Sequence, residues 1–169
     1  GTMSDLNITF TAEKLLYNYP VESHVYVMDR KSGEQKVFEA DSRFTKNVAE
    51  KCESGNYEQW ERHNIENPHF YDLMYLPQTG MYARLHLGGI EFDATRDILN
   101  LMDDRDLYLT FFDKDFVVVG EAKLPSHRYN YFTGWRETND GVALFVDNSL
   151  DENEKTEELV LDIVRLQAD

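Results

Sequence analysis

An aromatic-rich hairpin recurs along this chain about every 60 residues, and repetition at a fixed period is typical of blades, solenoids and arrays. The hairpins begin near Ile8, Phe70 and Tyr129. The first two are each followed by a second hairpin that turns on charged residues, at 29–33 and 113–115, and the third is followed by one more strand. This recurrence limits the fold to repeated antiparallel units.

Turn residues divide each unit into strands. Pro77-Gln78-Thr79-Gly80 and Asn139-Asp140-Gly141 have the composition of tight hairpin turns. The predicted strands cover residues 7–10, 14–19, 24–28 and 35–40 in the first unit, 70–76, 81–87, 107–112 and 116–121 in the second, and 129–137, 142–147 and 159–166 in the third. The runs 107–112 and 116–121 are almost continuously apolar, which predicts that both of their faces are covered.

Two polar insertions interrupt the strands, at about 43–68 and 88–105. In the first, Asn47 with Glu50 three residues later resembles a capping box, which predicts a short helix. Asn67-Pro68 should end the insertion, because the residue before a proline avoids the helical conformation.

The pattern predicts an all-β fold of three antiparallel propeller blades, at about 6–42, 69–125 and 126–167, within a single domain over 1–169. The third blade lacks a fourth strand. Because a closed propeller has at least four blades, we expect either a missing propeller half or a second copy of the chain as partner. A single β-sandwich of the same strands is the alternative fold.

Charge and hydropathy restrict the partners. The net charge is −15, with 17 basic against 32 acidic residues, which opposes binding to nucleic acid and to anionic membrane surfaces. No apolar run approaches the roughly 20 residues of a transmembrane helix.

The stretch 70–166 resembles the C-terminal half of TolB-like six-bladed propellers, in particular uncharacterised lipoproteins of Bacteroides-type bacteria. The resemblance is carried by Tyr71-Asp72-Leu73-Met74-Tyr75, Met81-Tyr82-Ala83-Arg84, Phe112-Asp113-Lys114-Asp115-Phe116, Gly120-Glu121-Ala122-Lys123-Leu124-Pro125, Asn139-Asp140-Gly141-Val142-Ala143-Leu144, Asn148 and the final strand. It implies a lipid-anchored protein of the cell envelope, periplasmic or at the surface, whose lipobox lies outside this chain. It also implies that a strand from the N-terminus closes the last blade. It brings no catalytic residues.

The acidic loop after residue 146 is the best metal candidate. Counting from Asp147, oxygen-bearing side chains occupy positions 1, 3, 5, 7 and 12 of a calcium loop, namely Asp147, Ser149, Asp151, Asn153 and Glu158. Position 6 is Glu152, where the calcium loop requires glycine, and strands flank the segment. A solvated acidic loop without metal is therefore the alternative interpretation.

A second candidate is a set of polar and aromatic residues near the predicted blade axis, where propellers form pockets. It comprises Arg84, His86, His127, Arg128, Trp135 and Arg136. Arginine recognises carboxylates through two parallel hydrogen bonds, so the set predicts a ligand site. The alternative is that Arg84 and Arg136 pair with acids on neighbouring strands.

No serine-nucleophile elbow, phosphate loop or zinc-helix motif is present in the sequence. Tyr71, Tyr75, Tyr82, Tyr129 and Tyr131 are interpreted as strand packing rather than as a sugar platform. We therefore expect a non-enzymatic binding or scaffold module that presents a rigid surface to a protein, peptide or glycan. The alternative is a propeller hydrolase or lactonase with a metal or an acid–base pair on the axis.

Overall fold

The computed structural model describes residues 6–52, 55–132, 134–139, 141–148, 150 and 158–166. These residues contain eleven strands and two helices. The strands are β1 (Asn7–Phe10), β2 (Lys14–Asn18), β3 (Val25–Asp29), β4 (Gln35–Phe38), β5 (His69–Leu76), β6 (Met81–Leu87), β7 (Leu107–Phe112), β8 (Val118–Lys123), β9 (Trp135–Glu137), β10 (Val142–Phe145) and β11 (Leu161–Val164), and the helices are α1 (Tyr57–Glu66) and α2 (Ile98–Asp103).

The strands form three antiparallel sheets, each with neighbours in chain order. The first sheet is β1-β2-β3-β4, the second is β5-β6-β7-β8, and the third is β9-β10-β11. The prediction of an all-β chain built from four-stranded antiparallel units is confirmed for the first two sheets. The alternative of one two-sheet sandwich is wrong, because the strands divide into three separate sheets.

The second sheet lies between the other two, and its side chains alternate between them. Tyr82 and Phe112 pack with Leu16 and Val25 of the first sheet. Ala83, Leu85, Leu109 and Phe111 pack with Val142 and Leu144 of the third sheet in a second core cluster. Every residue of β7 is buried as a result, as its apolar sequence predicts.

The first strands of the sheets lie side by side, since β5 contacts both β1 and β9. Asn7 Nδ2 donates to Phe70 O at 2.8 Å, and Thr9 Oγ1 donates to Leu73 O at 2.5 Å, so polar side chains link β1 to β5. The tight turns β1–β2, β5–β6 and β7–β8 therefore share one end of the stack, which we call the hairpin end. Both insertions lie at the opposite end.

The two insertions pack on each other through hydrogen bonds to backbone carbonyls. Ile90 N donates to Ile65 O at 2.9 Å. Buried Arg105 donates to Gly88 O at 2.8 Å, to Asn64 O at 2.7 Å and to Asn67 O at 2.6 Å. The guanidinium thus satisfies carbonyls that the C-terminus of α1 leaves without helical partners.

The predicted helix cap was wrong. Asn56 caps α1, with its side chain accepting from Gln59 N, whereas Asn47 lies in the preceding loop. Asn47 Oδ1 accepts from Ser42 N at 2.8 Å and its amide donates to Ser42 O, so its side chain closes a turn after the first sheet. The predicted end at Asn67-Pro68 is confirmed by the extended conformation of Asn67 (φ −116°, ψ 155°).

Two strand predictions also need correction. The β8 region was expected to be covered on both faces, but Val117 and Val119 are 59% and 44% exposed, because β8 is the edge strand of its sheet. The strand predicted at 129–137 begins only at Trp135. Asn130 Oδ1 accepts from Phe132 N, and Gly134 adopts a φ of 87°, so a turn replaces the first half of that strand.

Candidate functional site

A cleft of about 630 Å³ opens at the hairpin end, between the first and second sheets. A volume of this size is in the range of small-molecule and peptide sites. Three turns and the adjoining strand ends line it: Thr11, Ala12, Glu13, Lys14, Tyr75, Thr79, Gly80, Met81, Tyr82, Asp113 and Lys114. The cleft thus depends on the stacking of two sheets that are separate in sequence.

Local hydrogen bonds fix each of the three turns. Lys14 N donates to Thr11 Oγ1 at 3.0 Å, and Gly80 N donates to Leu76 O at 2.9 Å with Gly80 at a φ of 68°. Asp113 Oδ1 accepts from Asp115 N at 2.8 Å and from Val117 N at 2.9 Å. The cleft walls are therefore preorganised by short-range contacts.

Phe116 holds the turn at 113–115 in position through its buried ring. It is fully buried although its φ is 62°, a conformation that is unusual for a bulky residue. Its ring stacks on Tyr82 at 4.7 Å and contacts Phe38 at 4.9 Å. Burial of the Phe116 ring between the two sheets holds this backbone in place and with it the position of Asp113 and Lys114.

Two tyrosines contribute aromatic surface to the cleft. Tyr75 and Tyr82 are cross-strand partners on β5 and β6, with ring centroids 5.2 Å apart. Tyr82 is buried, and this burial raises the pKa of its phenol. Tyr75 is only partly buried, so it is the ring that a ligand can reach.

Charges of both signs surround this aromatic surface. Lys14 and Lys114 supply cations, and Glu13 and Asp113 supply carboxylates. Lys114 Nζ lies 2.5 Å from Asp115 Oδ2 in an exposed ion pair, which stabilises little and leaves the lysine free to exchange partners. Donors and acceptors beside an exposed ring can hold a polar ligand that has one flat apolar face.

The predicted ligand residues Arg84 and His86 lie between the first two sheets, away from the residues that line this cleft. Arg84 is fully buried, and its guanidinium donates to Ser23 O at 2.8 Å and to Ala40 O at 2.7 Å. Burial lowers the pKa of Arg84 to about 9 despite the opposing effect of Asp41 and Glu121. It remains charged at neutral pH and ties the two sheets together.

His86 lies two residues after Arg84 on β6, on the same side of the sheet. Its Nε2 lies 3.1 Å from Ser42 Oγ and 3.8 Å from Glu121 Oε1, while Glu121 also accepts from Thr110 Oγ1 and from Arg43 N. Burial, followed by the charge of Arg84, lowers the pKa of His86 to about 3. With its pKa lowered in this way, the imidazole is neutral at physiological pH, although Glu121 lies 3.8 Å from it.

The other four predicted ligand residues lie elsewhere. His127 Nε2 is 2.9 Å from Asp104 Oδ1, and Arg128 Nε donates to Asp162 Oδ2 at 2.7 Å. Trp135 Nε1 donates to Asp72 Oδ1 at 3.3 Å, while Arg136 points to the outer side of the third sheet. His127 and Arg128 border a space of only about 10 Å³. The structure does not gather the six residues into one site, and their role in ligand binding stays a prediction.

The predicted calcium loop falls largely outside the described residues, which exclude Ser149, Asp151 and Asn153. Asp147 accepts from Asn130 Nδ2 at 3.4 Å, and Glu158 is exposed. Calcium binding by this loop stays a prediction. Within the described ranges, no three His, Cys, Asp or Glu side chains are grouped so that they could hold a metal ion.

Most residues of the cleft carry no recognisable signature in the sequence. The predicted packing role of Tyr82 agrees with its burial, whereas Tyr75 is only partly buried. Thr11, Lys14 and Lys114 carry no motif. One signal for the cleft was available in the sequence: the turns 77–80 and 113–115 belong to the same predicted sheet, so they should lie at the same end of that sheet.

These features define a class of protein: stacked antiparallel meanders that carry a preorganised cleft formed by their turns. A family model described as "Domain of unknown function (DUF4221)" matches residues 2–123, and the chain belongs to this family. The expected relation to uncharacterised proteins of Bacteroides-type bacteria is thereby confirmed at the level of the family.

A solved structure supports the fold. The crystal structure of a DUF4221 family member from Bacteroides vulgatus superposes with a TM-score of 0.79 at 18% sequence identity, covering 96% of this chain and 45% of that one. This chain thus spans less than half the length of that relative. No curated protein matches the chain significantly. None of the described helices has the length and apolar character needed to cross a bilayer.

Proposed function

We propose that this chain is a non-enzymatic binding module whose cleft at the hairpin end holds its ligand. The observation that carries the proposal is the cleft itself, with about 630 Å³ of space, the accessible ring of Tyr75 and charges of both signs. The turns that line it are fixed by their own hydrogen bonds, so a ligand would meet a surface that needs little reorganisation.

The architecture that we propose for the module is three blades of a TolB-like β-propeller. Its support is the chain-order pairing within each sheet and the contact of β5 with both β1 and β9, since the first strands of neighbouring blades adjoin near a propeller axis. The resemblance to envelope lipoproteins extends the proposal to a location in the bacterial cell envelope.

The cleft chemistry favours a short peptide segment or an oligosaccharide as ligand. Either can stack a flat face on Tyr75 and exchange hydrogen bonds with Lys14, Lys114 and the carboxylate of Asp113. A strongly anionic polymer is disfavoured by the net charge of −15.

NMR titration of the ¹⁵N-labelled chain with panels of short peptides and of oligosaccharides tests the proposal. We expect shift changes confined to 11–14, 75–82 and 113–117, and loss of binding in Tyr75→Ala. Tyr57→Ala is the matched control, because Tyr57 is a 68% exposed tyrosine on α1 outside the cleft. Shift changes that map elsewhere, or equal binding by both variants, would refute the cleft as the site.

The alternative of a hydrolase or lactonase stays a prediction to which no described residue has been assigned. The same titrations examine it, because turnover of an added ester, lactone or oligosaccharide would be visible as new ligand signals. Turnover that persists through repurification of the chain would replace the binding proposal with an enzymatic one.

A further inference from the structure

The outer face of the first sheet is the side that points away from the second sheet, and it carries no charged side chain along its strands. Strand register places its residues in two rows that cross all four strands. One row is Ile8, Tyr17, Tyr26 and Val37, and the other is Phe10, Leu15, Met28 and Gln35. An antiparallel sheet with one solvated face usually carries polar side chains on that face. The outer face of the first sheet is instead mostly apolar and aromatic, although 29% of the residues in the chain are charged.

Several of these side chains are open to solvent. Phe10 is 67% exposed, Val37 58% and Ile8 49%. Their strand neighbours Asn7 and Thr9 point the other way and bond to β5, which fixes the orientation of the face. Contiguous exposed apolar surface of this kind marks an interaction site.

The centre of the face is a rigid aromatic platform. Tyr17 and Tyr26 stack in parallel with centroids 4.8 Å apart, and Tyr19 meets both rings edge-on. Tyr26 OH donates to Glu22 Oε1 at 2.7 Å, which fixes the orientation of the ring. A partner would therefore find the tyrosines already ordered, with little further loss of side-chain entropy.

The outer face of the third sheet, pointing away from the second sheet, has the same character. Register places Ala143 beside Ile163 and Arg136, and Phe145 beside Leu161. Leu161 is 53% and Ile163 47% exposed, whereas Val142 and Leu144 on the inner side are buried. Arg136 is the one charged residue among these five, and an arginine can stack on aromatic rings.

The three sheets thus form a stack that ends in an apolar face on each side. Within the chain, sheets already pack face to face twice, first on second and second on third. The family structure shows that one such three-sheet unit takes up 45% of a longer chain, which leaves length for about one more unit of the same size. A second copy of this chain is a unit of that size and has the same stacking order of sheets.

We propose that two copies of this chain associate about a two-fold axis, with the outer face of the first sheet of each copy packed on the outer face of the third sheet of the other. This arrangement continues the stacking order found inside the chain and buries both apolar faces of both copies. Pairing of two first sheets would leave both third-sheet faces in water.

Sedimentation velocity and light scattering test the proposal at about 100 µM, where an interface with a micromolar dissociation constant is well populated. We expect a dimer for the unaltered chain and monomers for Phe10→Asp and for Ile163→Asp, because a buried unpaired carboxylate opposes contact. Leu99→Asp is the control, since Leu99 is a 58% exposed residue of α2 outside both faces, and this variant should remain dimeric.

Mixing the two monomeric variants distinguishes packing of a first sheet on a third sheet from packing of two first sheets or of two third sheets. The Phe10→Asp copy keeps an intact third sheet and the Ile163→Asp copy keeps an intact first sheet, so an equimolar mixture should form a dimer with one intact contact, weaker than the original. Circular dichroism checks that each variant remains folded. A monomeric unaltered chain, dissociation by only one of the two substitutions, or a mixture that stays monomeric would each overturn the proposal.

Discussion

At the scale of single residues, Arg84 is a polar side chain that joins the first two sheets. It is fully buried, donates to two carbonyls in loops of the first sheet, and lies over the rings of Phe70 and Phe112 at 4.7 and 5.3 Å. Its truncation would leave two buried carbonyls without partners and open a cavity.

Arg84→Ala should therefore lower the free energy of unfolding by about 3 kcal/mol or more. Arg84→Lys should lose less, because it keeps the charge but cannot reach both carbonyls with a planar fork. Urea denaturation of the three proteins measures this order. If the lysine variant were as unstable as the alanine variant, the retained charge would contribute nothing at this position.

His86 should make stability depend on pH. Its pKa in the folded chain is about 3, below the ordinary value of 6.5, so the unfolded chain binds a proton first as pH falls. The contribution of neutral His86 to the free energy of unfolding is fully present above pH 6.5, and it is lost progressively as pH falls toward 3. At pH 5 the loss should be about 2 kcal/mol from this residue.

His86→Gln removes this titration and retains a hydrogen-bonding group. The stability gap between the variant and the unaltered chain should narrow by about 2 kcal/mol from pH 7 to pH 5, as measured by urea denaturation at each pH. His69, with a pKa lowered to about 4 by burial, titrates in both proteins and serves as an internal reference. A gap that is independent of pH would mean that His86 has the same pKa in the folded and the unfolded chain, which would contradict the lowered pKa.

The sequence could show that Arg84 and His86 alternate with apolar residues on one strand, but not that their side faces a second sheet. Register pairs Arg84 with Thr110 and Thr110 with Glu121, which builds a buried polar row from three strands. Such rows arise from tertiary pairing, which leaves no local signature, so polar residues there were interpreted as a ligand site.

At the scale of elements, the packing of the second insertion on α1 depends on a close backbone approach at Gly89. A Cβ atom at this position would lie 2.2 Å from Glu66 O and 2.6 Å from Glu66 C, which no side chain can tolerate without movement. The contact is reinforced by Ile90 N, which donates to Ile65 O at 2.9 Å.

Gly89→Ala should separate the insertion from the C-terminus of α1, lower stability by about 2 kcal/mol and speed amide exchange in both segments. Hydrogen exchange followed by mass spectrometry measures the local effect. Gly55→Ala is the control near the start of the same helix, because its Cβ would meet only the end of the flexible Gln59 side chain. Equal effects of the two substitutions would contradict this account.

Elements were predictable where turn chemistry is explicit. Pro77-Gln78-Thr79-Gly80 and the charged turn at 113–115 located β5 to β7 to within a residue or two. Asn47 and the start of β9 were misplaced because side chains bond to nearby backbone there, as Asn47 does with Ser42 and Asn130 with Phe132. Such bonds override local propensity.

At the scale of the whole molecule, the number and order of the sheets followed from the repeat, whereas the cleft did not. Its residues come from the turn at 11–14 of the first sheet and from two turns of the second sheet, and these meet only because β1 lies beside β5. A repeated pattern defines each unit and carries no information on which surfaces of neighbouring units leave a space between them.

The charge of the whole chain leads to a further prediction. A net charge of −15 on 169 residues destabilises the folded chain, because folding brings the like charges closer together. Ion pairs such as Lys46–Glu50 and Arg62–Glu66 are exposed and contribute little to stability. Added salt should therefore stabilise the folded chain by screening repulsion, despite weakening these pairs.

We expect the thermal midpoint to rise between low salt and about 0.15 M NaCl and then to level off, because the screening length falls to about 8 Å there. Differential scanning calorimetry at low protein concentration separates this effect from self-association, and KCl at equal ionic strength controls for specific ions. A midpoint that falls with salt would mean that the ion pairs outweigh the repulsion. The stability of this acidic chain would then depend on Arg128–Asp162 and Arg96–Asp104 more than on its net charge.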